Sequence, residues 1–239
     1  MKTTYIILAA GKGSNLYPLT LKYSKNSYLL DENTSVIQWM IRSIKLRDCN
    51  SEIVVVLGFM SKYLKKELED ENVITIINPF YETTNSISSL WFAREYLERE
   101  NVAIIHGDVV FSNEIIDSYL VIPTNTPYVL VDSNRADSGS YNVVTKDSKV
   151  LVMSKKLDSN CSRYACLTKL DPVSSRLLKN EIDLMVLDGM YNQYYEDALV
   201  QMIMFKDFEL NSKDIAGKNW TEVDSVNDLL LAKNIHKEL

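Results

Sequence analysis

Two glycines and two lysines near the start of the chain set the first chemical expectation. In the stretch from Ile6 to Lys25, IILAAGKGSNLYPLTLKYSK, an apolar run breaks into Gly11-Lys12-Gly13, then small polar residues, Pro18 and Lys25. A strand that stops at such a loop presents several backbone N–H groups and two cationic side chains in one place, which suits the phosphates of a nucleotide. Glycine is demanded there wherever a Cβ would collide with the ligand. The string is neither a dinucleotide-binding GxGxxG, which needs a third glycine, nor a P-loop, which needs GK[ST]. A plain turn would explain the glycine pair alone; the longer string LAAGKGSNLYPLT, with a lysine five residues on, asks for more.

The elements that must position this loop are legible in the hydrophobic pattern. Residues 5–10 are apolar on both faces, as in a central parallel strand. Asn33-Thr34-Ser35 can cap a helix with apolar positions Val36, Ile37, Met40, Ile41 and Ile44. A second buried strand is expected at 53–57, a charged helix at 62–70, a third strand at 73–77, a helix from Asn85-Ser86 to Leu97, and a fourth strand at 102–105 ending in His106-Gly107-Asp108. Alternation of this kind predicts a doubly wound parallel sheet whose ligands gather at the strand C-termini.

Beyond Asp108 the rhythm changes. A helix at 113–120, a strand at 128–131 and two short strands at 141–145 and 150–153, joined by Lys146-Asp147-Ser148-Lys149, suggest an antiparallel insertion. A strand at 164–168 and helices at 172–179, 191–205 and 225–237 complete the chain. The fold expected is therefore α/β: a Rossmann-like, mixed but mainly parallel sheet flanked by helices, with a small antiparallel substrate-side insertion. We read 1–239 as one domain, residues 1–110 forming a nucleotide-binding half and 111–239 an acceptor-binding half.

Composition narrows the partners. Lys plus Arg number 26 against 32 for Asp plus Glu, a net charge of −6, so no global basic field argues for nucleic acid or an anionic membrane. No apolar stretch approaches a membrane span, and the short run at 5–10 lacks the cleavage pattern of a signal peptide. The expected partner is a small molecule and the expected location cytoplasmic. Cys49, Cys161 and Cys166 are an odd number without CxxC spacing, which fits reduced, packed thiols better than a disulfide or zinc framework. A homodimer is compatible with the chain, but no residue pattern selects an oligomeric state.

LAAGKGSNLYPLT resembles the signature of the nucleotidyltransferases that make activated sugars and phospho-alcohols, LAAGxGxRLxPLT followed by PK. The match runs through Leu8, Ala9, Ala10, Gly11, Gly13, Leu16, Pro18, Leu19 and Thr20, with Lys25 in the place of the second motif's lysine. Asn15 stands where the family has arginine, and Ser24 where it has proline. The resemblance covers almost the whole chain and is nearest to bacterial choline-phosphate cytidylyltransferases and related phosphonate and phospho-amino-acid cytidylyltransferases. Asn78-Pro79-Phe80-Tyr81 and Thr84-Asn85-Ser86-Ile87-Ser88-Ser89-Leu90 look like their loop and helix start beside the cytosine ring, Ile105-His106-Gly107-Asp108 like their first metal carboxylate, and Glu222-Val223-Asp224 like their second.

The resemblance implies the nucleotide-diphospho-sugar transferase fold and assigns roles. Leu8, Ala9, Ala10, Gly11, Gly13, Ser14, Asn15, Asn85 and Ser89 would bind the nucleotide, Lys12 and Lys25 would act in catalysis, and Asp108 and Asp224 would hold Mg²⁺. Nucleotidyl transfer needs such a carboxylate pair, because both reactants are anionic and the metal bridges them. Asp224 alone would equally serve as a helix N-cap, as would Ser225. Asp228 reads as a solvated helix charge. His106 reads as a satisfied core histidine, since strand alternation points it away from Asp108.

For the acceptor, Tyr141, Tyr191, Tyr194, Tyr195, Glu196 and Asp197 could furnish an aromatic cage with a carboxylate for an ammonium, although a tyrosine-rich helix also serves plain packing. Arg135 and Arg163 favour a carboxylate or phosphate, which points to a zwitterion such as a phosphorylated amino acid (phosphoglutamine, for example) or an aminophosphonate. The reading is a Mg²⁺-dependent cytidylyltransferase that joins CTP to a small phosphate or phosphonate monoester and releases pyrophosphate, for decoration of surface polysaccharide or lipid. Its rivals are a sugar-1-phosphate nucleotidyltransferase and, because Asn15 removes a cationic contact, a degenerate nucleotide-binding protein.

Overall fold

The computed structural model describes residues 2–13, 16, 19–136 and 140–237. Runs of Ile, Val, Leu and Ala form the parallel half of the main sheet: β1 (Thr3–Ala9), β2 (Glu52–Leu57), β3 (Ile74–Ile77) and β4 (Asn101–His106), in the order β3-β2-β1-β4. β1 pairs in parallel with both β2 and β4, so it lies between two neighbours, and almost every residue along it is buried. Helix α1 (Val36–Arg47) and the short helices α2 (Ser61–Glu67) and α3 (Ser86–Phe92) make the crossovers. α1 begins where the sequence says it should: the Ser35 hydroxyl accepts from the backbone N–H of Gln38, whose side chain accepts in return from the backbone N–H of Ser35.

After β4 the chain turns at Gly107 into β5 (Val109–Phe111), then through the one-turn helix α4 (Asn113–Ile115) into β6 (Tyr128–Asp132). A hairpin, β7 (Asn142–Lys146) and β8 (Lys149–Ser154), leads to β9 (Ser162–Leu170) and to helices α5 (Pro172–Leu187) and α6 (Tyr195–Phe205). The chain closes with β10 (Asn211–Asp214), β11 (Trp220–Glu222) and α7 (Val226–Lys237). β9 runs antiparallel to both β4 and β6 and so stitches the two halves into one nine-stranded sheet, β3-β2-β1-β4-β9-β6-β10-β8-β7. β11 pairs antiparallel with β5 in a separate ladder beside it.

Because successive strand residues face opposite sides, both faces of the sheet carry a core. One face buries Tyr5, Ile7, Val55 and Ile105 against Ile37, Ile41 and Ile44 of α1. The other buries Ile6, Val54, Val56 and Ile104 against Leu90 of α3, Ile182 of α5 and Leu199 of α6. Each fully buried aliphatic side chain of this kind contributes about 1.5–3 kcal/mol of transfer free energy.

The mixed α/β fold expected from sequence is the one found, with local differences. The helix expected at 85–97 stops at Phe92 and continues as a tighter turn, Arg94–Glu98, while α5 runs to Leu187 because Leu178, Ile182 and Met185 keep burying the same stripe. The helix expected from 191 starts at Tyr195, since the Tyr191 carbonyl is turned to accept from Asn85 and Ser88. β5, β10 and β11 were not anticipated: at three or four residues, and in β10 with the polar string NSKD, they exist only through their partners. In the hairpin the register shifts between Val144 and Thr145, so Leu151 is a bulge residue and Asn142 faces Ser154. Of the cysteines only Cys166 is buried; Cys49 is exposed in the turn after α1 and Cys161 is intermediate, so packed thiols were not the rule expected.

Among the described residues no helix is long and apolar enough to cross a membrane.

Candidate active site

The C-terminal ends of β1 and β4, the start of α3 and the segments that follow β11 and precede β7 converge on one cleft of about 590 Å³. Its floor is the end of β1 with Gly11 and Gly13. A Cβ added at Gly11 would meet nothing within 4 Å, so the protein's own packing does not demand glycine there, and the space it keeps open belongs to the cleft. Gly13 has φ +66°, and a Cβ on it would come within 3.0 Å of the Lys25 stem, so loop and lysine are fitted to each other.

Lys25 is held in place by its own short turn. Buried Ser24 accepts from the backbone and side-chain amides of Asn26, and Asn26 Nδ2 also donates to the Ala9 carbonyl at 3.2 Å. Serine at position 24 thus fastens the turn to the end of β1. Lys25 Nζ then reaches two carboxylates at once, contacting Asp108 Oδ2 and donating to Asp224 Oδ1 at 2.7 Å. Burial works against its charge, but Asp108, Asp224 and Glu222 outweigh burial and raise its pKa. Burial raises the carboxyl pKa of Asp108; Lys25 pulls it back, while Glu222 and Asp224 add to the rise.

Two hard oxygen donors converging on one cation, one of them buried, are a donor set that suits Mg²⁺, which is commonly held by one or two carboxylates plus substrate phosphates. Asp108 and Asp224 could therefore hold that ion. Asp224 is not consumed as a helix cap, because Ser225 Oγ takes that role for the N–H of Asp228 at 3.2 Å. Asp228 is not the free solvated charge expected from sequence: it accepts from Ser225 Oγ at 2.7 Å and lines the cleft.

Behind these groups lies a second network that sequence reasoning did not assemble. His106 Nε2 lies 2.8 Å from Glu196 Oε1 and its Nδ1 3.3 Å from Glu222 Oε1, while Arg163 donates to Glu222 Oε2 at 2.8 Å. His106 was expected to point away from Asp108 into the core. It lines the same cleft as Asp108: side chains two apart along an extended chain face the same side, so alternation brings His106 toward Asp108 and the expectation misapplied the period. Burial opposes its protonation, yet Cys166, Glu196 and Glu222 together raise its pKa well above the usual histidine value. Glu222 is pushed up by burial but held well below the carboxylate range by His106, Lys25 and Arg163. The Cys166 thiol is pushed up to about 12 by burial, with Glu222 adding to the rise, so it is a neutral group and not a nucleophile.

Of the residues expected to contact a nucleotide, Leu8, Ala9, Ala10, Gly11, Gly13, Asn85 and Ser89 line the cleft. Asn85 caps α3 through Ser86 N at 2.9 Å, and Ser89 accepts from buried Asn78 at 3.1 Å, so the cleft wall here is built by the Asn78 loop. Ser14 and Asn15 lie outside the described residues. Lys12 is not among the lining residues; its ammonium lies 6.0 Å from the Phe59 ring. On the acceptor side Tyr141 and Tyr194 line the cleft with ring centroids 5.4 Å apart. Asp197 stands behind them, accepting from Tyr141 Oη at 2.8 Å and from Tyr194 N at 2.9 Å. Arg135 is not a lining residue; it packs over Trp220 at 5.2 Å and lies 3.7 Å from Asp132.

A conserved-domain comparison bears on this arrangement directly: the family model described as Nucleotidyl transferase matches residues 4–152, from β1 through the hairpin. The chain belongs to the nucleotidyl transferase family. As a nucleotidyltransferase it is 25% identical to the CTP:phosphoglutamine cytidylyltransferase of Campylobacter jejuni over 94% of this chain and 96% of that one. It is 31% identical to the 2-aminoethylphosphonate cytidylyltransferase of Lancefieldella rimae over 48% of this chain and 46% of the relative. Its fold is shared with the CTP:phosphocholine cytidylyltransferase of Streptococcus pneumoniae, at a TM-score of 0.81 and 20% identity over 99% of this chain and 100% of that one. The enzyme expected from the glycine loop is thus a nucleotidyltransferase, and the non-enzymatic alternative is set aside.

Proposed function

We propose that this nucleotidyltransferase is a cytidylyltransferase that transfers CMP from CTP to a small phosphate or phosphonate monoester and releases pyrophosphate. The observation that carries it is Lys25 spanning Asp108 and Asp224 at the rim of the Gly11–Gly13 loop, in a cleft that continues to Tyr141 and Tyr194. The choice of cytidine is supported by the names of the two curated relatives, both of which use it.

In this reading the loop N–H groups face the β- and γ-phosphates, Lys12 would have to swing from beside Phe59 to join them, and Asn85 and Ser89 lie beside the base. Mg²⁺, when bound by Asp108 and Asp224, would supply neutralisation of charge between two anionic reactants. Lys25 orients the α-phosphate against the acceptor oxygen, a positive charge placed beforehand at the rim of the cleft where negative charge develops. The acceptor's phosphate or phosphonate is already ionised, so no residue has to remove a proton, and the raised thiol of Cys166 is not called on as a nucleophile. Catalysis then rests on alignment and charge neutralisation. His106, Glu196, Glu222 and Arg163 brace the wall from which Asp108 and Asp224 project.

Pyrophosphate release with CTP, UTP, GTP and dTTP, each with Mg²⁺ and with a panel of phospho-alcohols, aminophosphonates and sugar 1-phosphates, tests the proposal. CTP with a phospho-alcohol, phospho-amino acid or phosphonate should give the highest turnover, abolished by a chelator and restored by Mg²⁺. Preference for another nucleotide with a sugar 1-phosphate would replace it with the sugar-nucleotide reading.

A further inference from the structure

The register of the hairpin decides which side chain meets the two cleft tyrosines. Asn142 faces Ser154 across β7 and β8, and continuing that register by one residue sets Tyr141 opposite Lys155. Both then lie on the face that buries Val143 and Met153 under α6. Lys155 Nζ stands 4.2 Å from the Tyr194 ring centroid and 5.6 Å from that of Tyr141, and all three residues line the cleft that holds Lys25 and Asp108. Among the described residues no ion pair is formed by Lys155, so its ammonium faces the cleft with the two rings as its neighbours.

An aromatic pair backed by a carboxylate is the arrangement that attracts a substrate ammonium. Here the arrangement is already filled. The place over the rings is taken by the protein's own cation, and Asp197 has one oxygen committed to the Tyr141 hydroxyl and the other to the Tyr194 N–H. A second ammonium entering beside Lys155 would meet a like charge, whereas an anion would find an unneutralised partner held by two rings.

We propose that Lys155 is the specificity residue of the acceptor site: it excludes an ammonium from the Tyr141–Tyr194 pair and pairs with a carboxylate, so the preferred acceptor carries a carboxyl group at the end away from its phosphorus. This rests on the cytidylyltransferase reading and narrows it, separating acceptors with a carboxylate from ethanolamine, choline and aminoethylphosphonate types.

Two pairs of acceptors differ only by that carboxylate: O-phosphoserine against phosphoethanolamine, and 2-amino-3-phosphonopropionate against 2-aminoethylphosphonate. Pyrophosphate release from CTP is measured with each, and with phosphocholine, for the wild type and for Lys155→Met, Lys155→Arg and Lys155→Glu. In both pairs the wild type should favour the carboxylate member at least about tenfold in kcat/KM, since a site built for a charged group rejects the analogue lacking it. Lys155→Met should bring that ratio near unity through the acceptor KM, with the KM for CTP as a check that the nucleotide half is intact. Lys155→Arg should keep the preference, and Lys155→Glu should reverse it toward phosphoethanolamine and phosphocholine. A wild type that uses phosphoethanolamine or phosphocholine as well as O-phosphoserine, or a ratio unmoved by Lys155→Met, overturns the role of Lys155 while leaving cytidylyl transfer standing. The same order of acceptors with a different nucleotide would keep Lys155 and replace CTP, and silence with every nucleotide and acceptor would overturn both.

Discussion

Lys25 is the residue on which the site turns, because one ammonium is shared by two carboxylates that would otherwise repel. Lys25→Met should reduce turnover by about 10²–10³-fold, the scale of losing one preorganised charge at a transition state. It should also change the response to metal. With the ammonium gone, Asp108 and Asp224 have no internal cation between them, so Mg²⁺ should raise the Tm of the variant by more than it raises that of the wild type. Equal shifts would show that the ammonium and the ion do not share that space. Lys25, Asp108 and Asp224 were legible in the sequence because each sits in a motif with local context: a glycine loop, a strand end and a helix start. The network behind them was not. His106 meets Glu196 and Glu222 across 90 and 116 residues of chain, and no local pattern announces a pairing at that range. Lys155 was invisible for the same reason, since its place follows from a register and not from its neighbours in sequence.

At the scale of elements, the turn between β4 and β5 carries a tight steric constraint beside the site. A Cβ on Gly107 would lie 2.8 Å from the Ala9 Cβ and 3.0 Å from the Leu8 carbonyl oxygen, both part of β1. The Gly107 N–H also donates to that Leu8 carbonyl at 2.8 Å. Gly107→Ala should therefore push the turn off β1, costing about 1–3 kcal/mol as other overpacked sites do, and carry Asp108 away from Lys25. A lowered Tm together with a fall in kcat is the expected result; a variant with wild-type Tm and activity would show that the turn can shift freely. Most elements could be read in advance because their signals are local: Ser35 before an amphipathic helix, Pro172 at the start of α5, aliphatic runs in β1, β2 and β4. Element ends were read less well. They depend on contacts such as Tyr191 with Asn85 and Ser88, which decide where a helix may begin only once the fold has formed.

At the scale of the whole molecule, β9 joins the two halves, and it does so with a buried lysine. Lys169 is fully buried, donates to the Leu120 carbonyl at 2.8 Å and lies 5.7 Å from the Tyr5 ring. Burial lowers its pKa to about 7, whereas in the unfolded chain it titrates near about 10.4. Below pH 7 both states hold the proton and the folded state bears the full cost of a buried charge. Between pH 7 and about 10.4 the unfolded state binds more protons, so the contribution of this group to stability rises with pH. Lys169→Met should thus raise Tm at pH 6 and lose that advantage as pH approaches 10, with the lost Leu120 hydrogen bond offsetting part of the gain. A variant less stable than the wild type at pH 6 would show that the hydrogen bond outweighs the buried charge.

The bulge at Leu151 bears on how such an enzyme keeps its acceptor preference over generations. Removing Leu151 would restore an unbroken ladder from Lys146 opposite Lys149 to Asn142 opposite Ser154, and would leave Lys155 opposite Tyr141. Leu151 is 44% exposed, so its loss would leave the core largely intact. A single codon lost at that point could then pass without moving the cationic group away from the two rings. In this hairpin the bulge is a spare residue that lets strand length vary by one while the recognition position stays where it is.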